Sequence, residues 1–229
     1  AEEIPEQLYL LGSATENQGT APVPFRKESD GIFVIYTKLS SGNIYFTDAL
    51  EDGVNYTVDS SGRLIEGDEA YNVEAEENVV RLTLNFNAKT ISKDIISGVR
   101  MIWGATFDVI ADMQYVGNGS FKKENVNIKF VDPNDPTTNP PSWLTWVEER
   151  YYFISTINGA DVCWGRGDNV SAEQPGESEP ATFYELHEFA WSQWDHLWKM
   201  SHSLNKKTCT VTIETNANNM MIHSFSDVK

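Results

Sequence analysis

The sequence predicts an all-β protein built of two tandem β-sandwich domains. Gly, Asn, Asp or Ser recurs every eight to twelve residues, and the intervals hold short runs of β-branched and aromatic residues. Such runs between turn-forming residues are typical of sandwich strands. In the run 81–86, Leu82, Leu84 and Phe86 are expected on one face of a strand, with polar residues alternating on the other face.

The candidate strands fall into two consecutive series. The first series comprises 8–12, 31–39, 43–49, 54–59, 70–75 and 79–86. The second series comprises 99–104, 120–130, 151–156, 160–165, 182–189, 207–215 and 220–225. Each series therefore holds about as many strands as one small sandwich needs.

The two series also resemble each other in content. LYLLGSAT at 8–15 is similar to RMIWGATF at 100–107. VVRLTLNFNAKTIS at 79–92 is similar to KKTCTVTIETNANNMMI at 206–222. Repetition of one strand pattern along a chain predicts two copies of a single structural module.

We expect the first sandwich domain at 1–93 and a second, larger domain at 97–229. The short segment SKDIIS at 92–97 is expected to join them end to end. The second domain is longer because of two insertions, at 132–149 and 166–180. Their Pro, Gly, Ser and acidic residues predict surface loops that are more mobile than the strands.

The composition excludes several classes of function. The chain has 17 basic and 34 acidic residues, a formal net charge of -17. A nucleic-acid partner requires basic surface to neutralise phosphates, and an anionic membrane surface requires the same, so neither is expected. No apolar run is long enough for a membrane-spanning helix. The start AEEIPEQ reads as a mature terminus from which a targeting segment has been removed.

Metal and cysteine chemistry have little support in the sequence. Cys163 and Cys209 lie in β-like segments, and either two free buried thiols or one disulfide is compatible with them. The histidines show no zinc-binding spacing. Oxygen ligands for calcium occur at Asp132, Asn134 and Asp135, but this segment lacks the glycine of an EF-hand loop. We expect no metal and no cofactor.

Four short motifs carry a resemblance to a known family. They are GSAT at 12–15, YVGNGSFK at 115–122, VCWGR at 162–166 and QWDHLWKM at 193–200. Together they resemble the SusE/SusF-like family, the outer-membrane glycan-binding lipoproteins of Bacteroidetes. The resemblance is strongest in the second domain and extends over most of the chain, although two domains are few for this family.

The resemblance implies both a fold and a function. It implies immunoglobulin-like or carbohydrate-binding-module-like sandwiches that are lipid-anchored at the outer membrane and exposed on the cell surface. Such a protein holds starch or another polysaccharide without cleaving it, beside other outer-membrane proteins of a polysaccharide-utilisation system. It implies no enzymatic activity.

The tryptophans suggest where a glycan would bind. All of them lie between Trp103 and Trp198, in the second domain. Indole rings stack on the C–H faces of sugars, and a few polar side chains fix the hydroxyl groups. We predict core positions for Trp103 and Trp198. The predicted ligand-binding residues are Trp164, Arg166, Asp168, Asn169, Trp191, Trp194 and Lys199.

Other interpretations of the same residues remain open. Trp143 and Trp146, in the first insertion, are the alternative stacking pair if Trp164 and Trp194 prove to be buried. A structural or adhesion module without a glycan site is the second hypothesis, and it places every tryptophan in the core. A glycoside hydrolase is the third, because the chain has many carboxylates, although no segment pairs two of them specifically.

Overall fold

The computed structural model describes residues 3–167, 175, 179–191 and 194–229. In this part the chain is all-β, as predicted, with eighteen strands, three short 3-10 helices and no α-helix. The strands of the first half are β1 Tyr9–Leu11, β2 Val23–Pro24, β3 Arg26–Ser29, β4 Ile32–Thr37, β5 Gly42–Thr47, β6 Asn55–Val58, β7 Leu64–Glu66, β8 Tyr71–Val73 and β9 Val79–Asn85.

The second half begins with the longest strand. Its strands are β10 Thr90–Trp103, β11 Val109–Gly117, β12 Ser120–Ile128, β13 Arg150–Ile157, β14 Ala160–Gly165, β15 His187–Phe189, β16 Trp198–Lys199, β17 Lys207–Thr215 and β18 Met221–Ser226. The 3-10 helices are Pro136–Thr138, Ala181–Tyr184 and His202–Leu204.

By its internal packing the chain divides into two compact units. Unit 1 comprises Ala1–Ile96 with the short pieces Gly117–Gly119 and Ala217–Asn219. Unit 2 comprises Ser97–Val116, Ser120–Asn216 and Met220–Lys229. The assignment of independent domains to 1–93 and 97–229 stays a prediction.

The segment 92–97, which was predicted to join the two domains, forms the interior of β10, and the boundary between the two units falls within it, after Ile96. In the ladder with β9, Ile95 lies opposite Val80, and Asp94 lies opposite Arg81. The Arg81 guanidinium lies 3.0 Å from the Asp94 carboxylate. Ser92 and Asp94 therefore lie opposite the polar residues Thr83 and Arg81, whereas Lys93 lies opposite Leu82.

Unit 1 is a sandwich of two sheets. One sheet has the strand order β2-β1-β5-β6-β7, with β8 also paired to β5, and β3, β4, β9 and the first part of β10 form the other layer. Its core joins Leu10 and Phe46 of the first sheet to Phe33 and Leu84 of the second. The predicted alternation of Leu82 and Leu84 is confirmed, since both side chains are buried in this core.

Unit 2 is built on the strand order β15-β14-β13-β10-β11-β12-β17-β18. Strands β13 and β18 are far apart in this order, yet their side chains meet in the core. The Tyr151 ring of β13 contacts His223 and Phe225 of β18 at centroid distances of 5.5 and 5.9 Å. The sheet therefore folds over onto itself, and an aromatic core fills the interior.

The YVGNGSF motif has a structural explanation in this fold. Asn118 and Gly119 connect β11 to β12 with φ angles of 53° and 71°. Asn158 and Gly159 connect β13 to β14 with φ angles of 51° and 80°. Two successive positive φ angles are the signature of a two-residue hairpin turn, for which Asn-Gly is the favoured pair.

The first predicted insertion is a surface connection without strands. Between Val131 and Glu148 it contains the helix Pro136–Thr138, and a single bridge pairs Val131 with Glu148 at its two ends. Most of the second insertion, 168–174 and 176–178, lies outside the described residues.

Candidate functional site

The structure overturns the prediction that Trp164 presents an exposed ring. Its side chain is only 1% exposed. Trp164 lies in β14, opposite Phe153 of β13 on one side and Glu188 of β15 on the other. Since β14 has a neighbour on both edges and one face on the core, an inward-pointing indole at this position cannot meet a ligand.

Trp198 is a core residue, as predicted, with no exposed surface. Its indole stacks on Tyr151 at 5.5 Å, and its Nε1–H donates to the carbonyl oxygen of Phe183 at 2.7 Å. Trp103, 7% exposed, is also in the core. Trp198 is the first residue of strand β16.

Arg166 and Lys199, which we predicted to act together, line different clefts. The Arg166 guanidinium lies 4.9 Å from the centre of the Phe183 ring, and both residues border a cleft of about 330 Å³ with His187. Lys199 lies in another cleft, described below. Asp168 and Asn169, the other predicted partners, lie outside the described residues.

Two of the exposed tryptophans lie together with the half-buried Trp194. Trp143 and Trp146, in the loop before β13, are 48% and 46% exposed. The Trp143 ring lies 6.0 Å from that of Trp146 and 5.9 Å from that of Trp194. We call Trp143, Trp146 and Trp194 the tryptophan cluster. It contains one predicted residue, Trp194, which is half-buried, and the two that were only the alternative pair.

Trp194 is held in an unusual conformation. Its φ is 72°, in the left-handed region that bulky residues rarely adopt. The Arg150 guanidinium lies 5.1 Å from its ring centre, and such a cation packed on an indole is attractive. A strained backbone conformation persists only where other contacts of the folded protein hold the residue in place, and such residues are concentrated at functional sites.

Gly104 makes room for this arrangement at the end of β10. Its backbone N–H donates to the carbonyl of Arg150 at 2.9 Å. A Cβ at this position would lie 2.7 Å from the Leu197 side chain and 3.6 Å from the Trp194 ring. A larger residue here would therefore require the Leu197 side chain to move.

A cleft of about 430 Å³ lies beside the cluster and shares Trp146 with it. It is formed by the end of the first insertion, the start of β13, strand β16 and the helix His202–Leu204. We call it the polar cleft, and its lining residues are Phe130, Trp146, Val147, Glu148, Glu149, Arg150, Lys199, His202 and Asn205.

Two buried glutamates lie in the wall of the polar cleft. Glu148 is 2% exposed, and its carboxylate lies 3.3 Å from the Arg150 guanidinium. Burial raises the pKa of Glu148, although the charge of Arg150 opposes the rise. The Glu149 carboxylate lies 3.4 Å from Nε2 of His202. Both carboxylates are thus engaged with cationic or polar neighbours of the same cleft.

Trp191 and Phe107 form a separate exposed aromatic pair, which packs on the buried Tyr152. The Trp191 ring lies 5.4 Å from that of Phe107 and 4.9 Å from that of Tyr152. Trp191 is 38% exposed, which agrees with its predicted surface position. Phe107 has a φ of 62°, so it is another aromatic residue of unit 2 in the left-handed region.

The acidic residues suggested for calcium bind other protein groups instead. The Asp132 carboxylate accepts the N–H of Asn134 at 2.8 Å. Asp135 accepts from Thr137 and lies 3.0 Å from the Lys129 ammonium, and these contacts lower its pKa to about 2. Among the described residues, no group of three His, Cys, Asp or Glu side chains is arranged to hold a metal ion.

Both cysteines are free thiols, which settles the alternative left open by the sequence. Cys163 is half-buried in β14, and Cys209 is buried in β17. Burial raises the pKa of Cys163 and raises that of Cys209 to about 11. Neither environment favours a reactive thiolate.

The fold and the site define an all-β protein with an exposed tryptophan cluster beside a polar cleft. No protein-family model, curated protein or solved structure matches the chain. In the part of the chain that the structure describes, none of the helices has the length and apolar character to cross a lipid bilayer.

Sequence reasoning missed much of the polar cleft. Glu148, Glu149, Arg150 and His202 were not predicted as site residues. A signal was present, because the charged run 148–150 directly follows two tryptophans three residues apart. Exposed aromatic residues with adjacent charged residues are a common composition of ligand-binding surfaces, and this segment carries both.

Proposed function

We propose that unit 2 binds a saccharide on the tryptophan cluster, with side chains of the polar cleft fixing the sugar hydroxyls. The observation that carries this proposal is the contact between three indoles, two of which expose almost half of their surface. Indoles provide apolar area at low entropic cost and are used where one face must meet a ligand.

The strained backbone at Trp194 supports a binding role for the cluster. A left-handed φ at a tryptophan lowers stability, so its presence beside two exposed indoles suggests selection for position rather than for packing. Arg150 fixes the Trp194 ring from one side, and Trp143 contacts it from another. A pre-positioned ring loses little freedom when a ligand stacks on it.

The carboxylates of the polar cleft favour binding over cleavage. A glycoside hydrolase requires two accessible carboxyl groups on opposite sides of the scissile bond. Glu148 and Glu149 are nearly fully buried, and each is engaged with a neighbour, Arg150 and His202 respectively. The proposal is therefore a non-catalytic saccharide-binding protein.

The cellular setting is proposed from the sequence motifs alone. On the resemblance of the segments at 12–15, 115–122, 162–166 and 193–200, we propose a SusE/SusF-like protein. It would be lipid-anchored at the outer membrane and hold polysaccharide at the cell surface for a glycan-uptake system.

Affinity electrophoresis in gels that contain single polysaccharides tests the binding proposal. The wild-type protein should be retarded by at least one of starch, plant and host polysaccharides. The double substitution Trp143→Ala with Trp146→Ala should weaken that binding about tenfold or more, because two stacking faces are lost. Leu50→Ala, which removes an exposed apolar side chain from unit 1, is the matched control and should bind as the wild type does.

Two results would contradict the proposal. One is a wild-type protein that no polysaccharide retards, which would favour the structural or adhesion module. The other is unchanged retardation of the folded double variant, which would place the saccharide away from the cluster.

A further inference from the structure

The polar cleft contains two cations that face each other across a strand pair. Strands β13 and β16 are antiparallel, with Arg150 directly opposite Lys199 and Tyr151 opposite Trp198. Tyr151 and Trp198 are buried in the core. Because side chains alternate along a strand, Arg150 and Lys199 project from the other face, where both line the polar cleft.

Like charges directly opposite each other on a sheet are destabilising. Arg150 is compensated, since Glu148 lies 3.3 Å from its guanidinium. Glu149 contacts His202 instead. Lys199, which is half-buried, has no hydrogen-bond or ionic partner within the described part of the chain. Its ammonium is therefore the cation of the cleft that lacks a direct contact with a carboxylate.

Arg150 also has unused capacity as a donor. Its Nε is buried and has no hydrogen-bond partner among the residues that the structure describes. An arginine whose fork is only partly engaged can accept a further planar or tetrahedral anion by a small rotation. Arg150 and Lys199 thus present adjacent positive groups beside the Trp146 ring.

We infer that the polar cleft takes an anionic saccharide, whose carboxylate or sulfate group lies between Lys199 and Arg150. This inference rests on the proposed function, because the sugar ring is expected to stack on the tryptophan cluster. The anion supplies the negative partner that Lys199 lacks and relieves its repulsion with Arg150.

The acidity of the whole chain makes this local pair more significant. A net charge of -17 repels anions at long range. At physiological ionic strength that repulsion is screened beyond about 8 Å, whereas direct contacts in a partly buried cleft persist. An acidic saccharide would therefore be recognised by the short-range contacts of the cleft and not by the general field of the protein.

Paired polysaccharides that differ only in charge test the inference, in affinity gels at about 0.15 M salt. One pair is polygalacturonate and its methyl ester, which carries no carboxylate. The other is carrageenan and its desulfated form, so the two pairs distinguish carboxylate from sulfate. The wild-type protein should bind one charged form at least tenfold more tightly than its neutral partner, about the effect of one charged hydrogen bond.

Substitutions then locate the contact. Lys199→Met should reduce binding of the charged form about tenfold, a much larger loss than it causes for the neutral form, while Lys199→Arg should retain most of the binding. Lys207→Met is the matched control, since Lys207 is an exposed lysine on β17 outside the polar cleft. Thermal melting of each variant verifies that it is folded.

Three outcomes would overturn the inference. They are equal binding of charged and neutral forms, unchanged binding by folded Lys199→Met, and an equal loss in Lys207→Met, which indicates a general charge effect. If the protein binds the neutral polysaccharides and this binding depends on Trp143 and Trp146, the proposed function is supported although the inference fails. A protein that binds neither pair would also overturn the inference, and it would contradict the proposed function only if starch and the other polysaccharides also failed to retard it.

Discussion

The hydroxyl of Tyr151 donates a hydrogen bond to Nε2 of His223 at 2.7 Å in the aromatic core of unit 2. On the other side of the ring, Nδ1 of His223 lies 2.9 Å from the carbonyl oxygen of Tyr184. A carbonyl only accepts, so Nδ1 carries the proton and Nε2 accepts from Tyr151. Burial among apolar rings disfavours the charged imidazolium and lowers the pKa of His223 to about 3, although the bond to Tyr184 opposes this shift.

The stability of the fold should fall below neutral pH because of His223. In the unfolded chain the histidine binds a proton near pH 6.5, and in the folded protein it does so only near pH 3. The unfolded state therefore gains protons first, and stability is lost as the pH falls through this window. Between pH 7 and 5 the expected loss is about 2 kcal/mol in the free energy of unfolding.

Urea unfolding at pH 7, 6 and 5 measures this loss. The variant His223→Gln, which cannot ionise, should be less stable at pH 7 but should show a flatter profile over the same range. The remaining histidines are present in both proteins, so their contributions cancel in the comparison. Parallel profiles of wild type and variant would show that His223 does not titrate as expected.

Trp198→Ala should lower the free energy of unfolding by about 3–5 kcal/mol, the usual cost of removing a large core aromatic. The substitution leaves a cavity beside Tyr151 and removes the donor to the Phe183 carbonyl. Trp191→Ala, at an exposed position, is the control and should cost far less. Equal costs for the two substitutions, measured by chemical denaturation, would contradict the burial described here.

Trp164→Phe should affect stability and not saccharide binding. The smaller ring leaves part of a buried site unfilled, so the melting temperature should drop. The affinity for any polysaccharide that retards the wild type should stay within about twofold of the wild-type value. A substitution in the core has little effect on a surface site that it does not contact. A loss of polysaccharide binding with an unchanged melting temperature would contradict this prediction and indicate that Trp164 contacts the ligand.

The two thiols should be unreactive in the folded protein. Burial raises the pKa of Cys209 to about 11 and also raises that of Cys163, so little thiolate forms near neutral pH. A thiol reagent should label both residues in urea, while in buffer Cys209 should react far more slowly than the half-buried Cys163. Reducing agent should leave the melting temperature unchanged, and a drop would indicate a disulfide.

Much of the fold was predictable because its strands carry local signals. The alternation in β9 and the Asn-Gly turn at 118–119 are readable without any knowledge of tertiary contacts. Strand β11 was missed although Ala111 and Met113 alternate with Asp112 and Gln114, a readable strand signal, and β16 was missed because two residues carry no period. The strand conformation of segment 92–97 was missed because strand pairing, which is non-local, decides it.

The candidate site was less predictable, since burial depends on which strands become neighbours. Nothing in VCWG shows which face of β14 packs on the core, and Trp164 is buried because it lies on that face. Trp194 is half-buried, and its role as a stacking residue stays a prediction. Its neighbours in space, Trp143 and Arg150, lie more than forty residues earlier, and only the folded sheet brings them together.

The most direct test of saccharide binding at the tryptophan cluster is an NMR titration that observes the indole N–H signals. Single Trp→Phe substitutions assign the signals, and the titrant is a soluble oligosaccharide of a polysaccharide that retards the protein. As oligosaccharide is added, the indole N–H signals of the tryptophan cluster should shift progressively and reach a plateau. The signals of the buried Trp164 and Trp198 should not shift. Shifts confined to other tryptophans, or no shift with an oligosaccharide that the protein retains, would contradict the account.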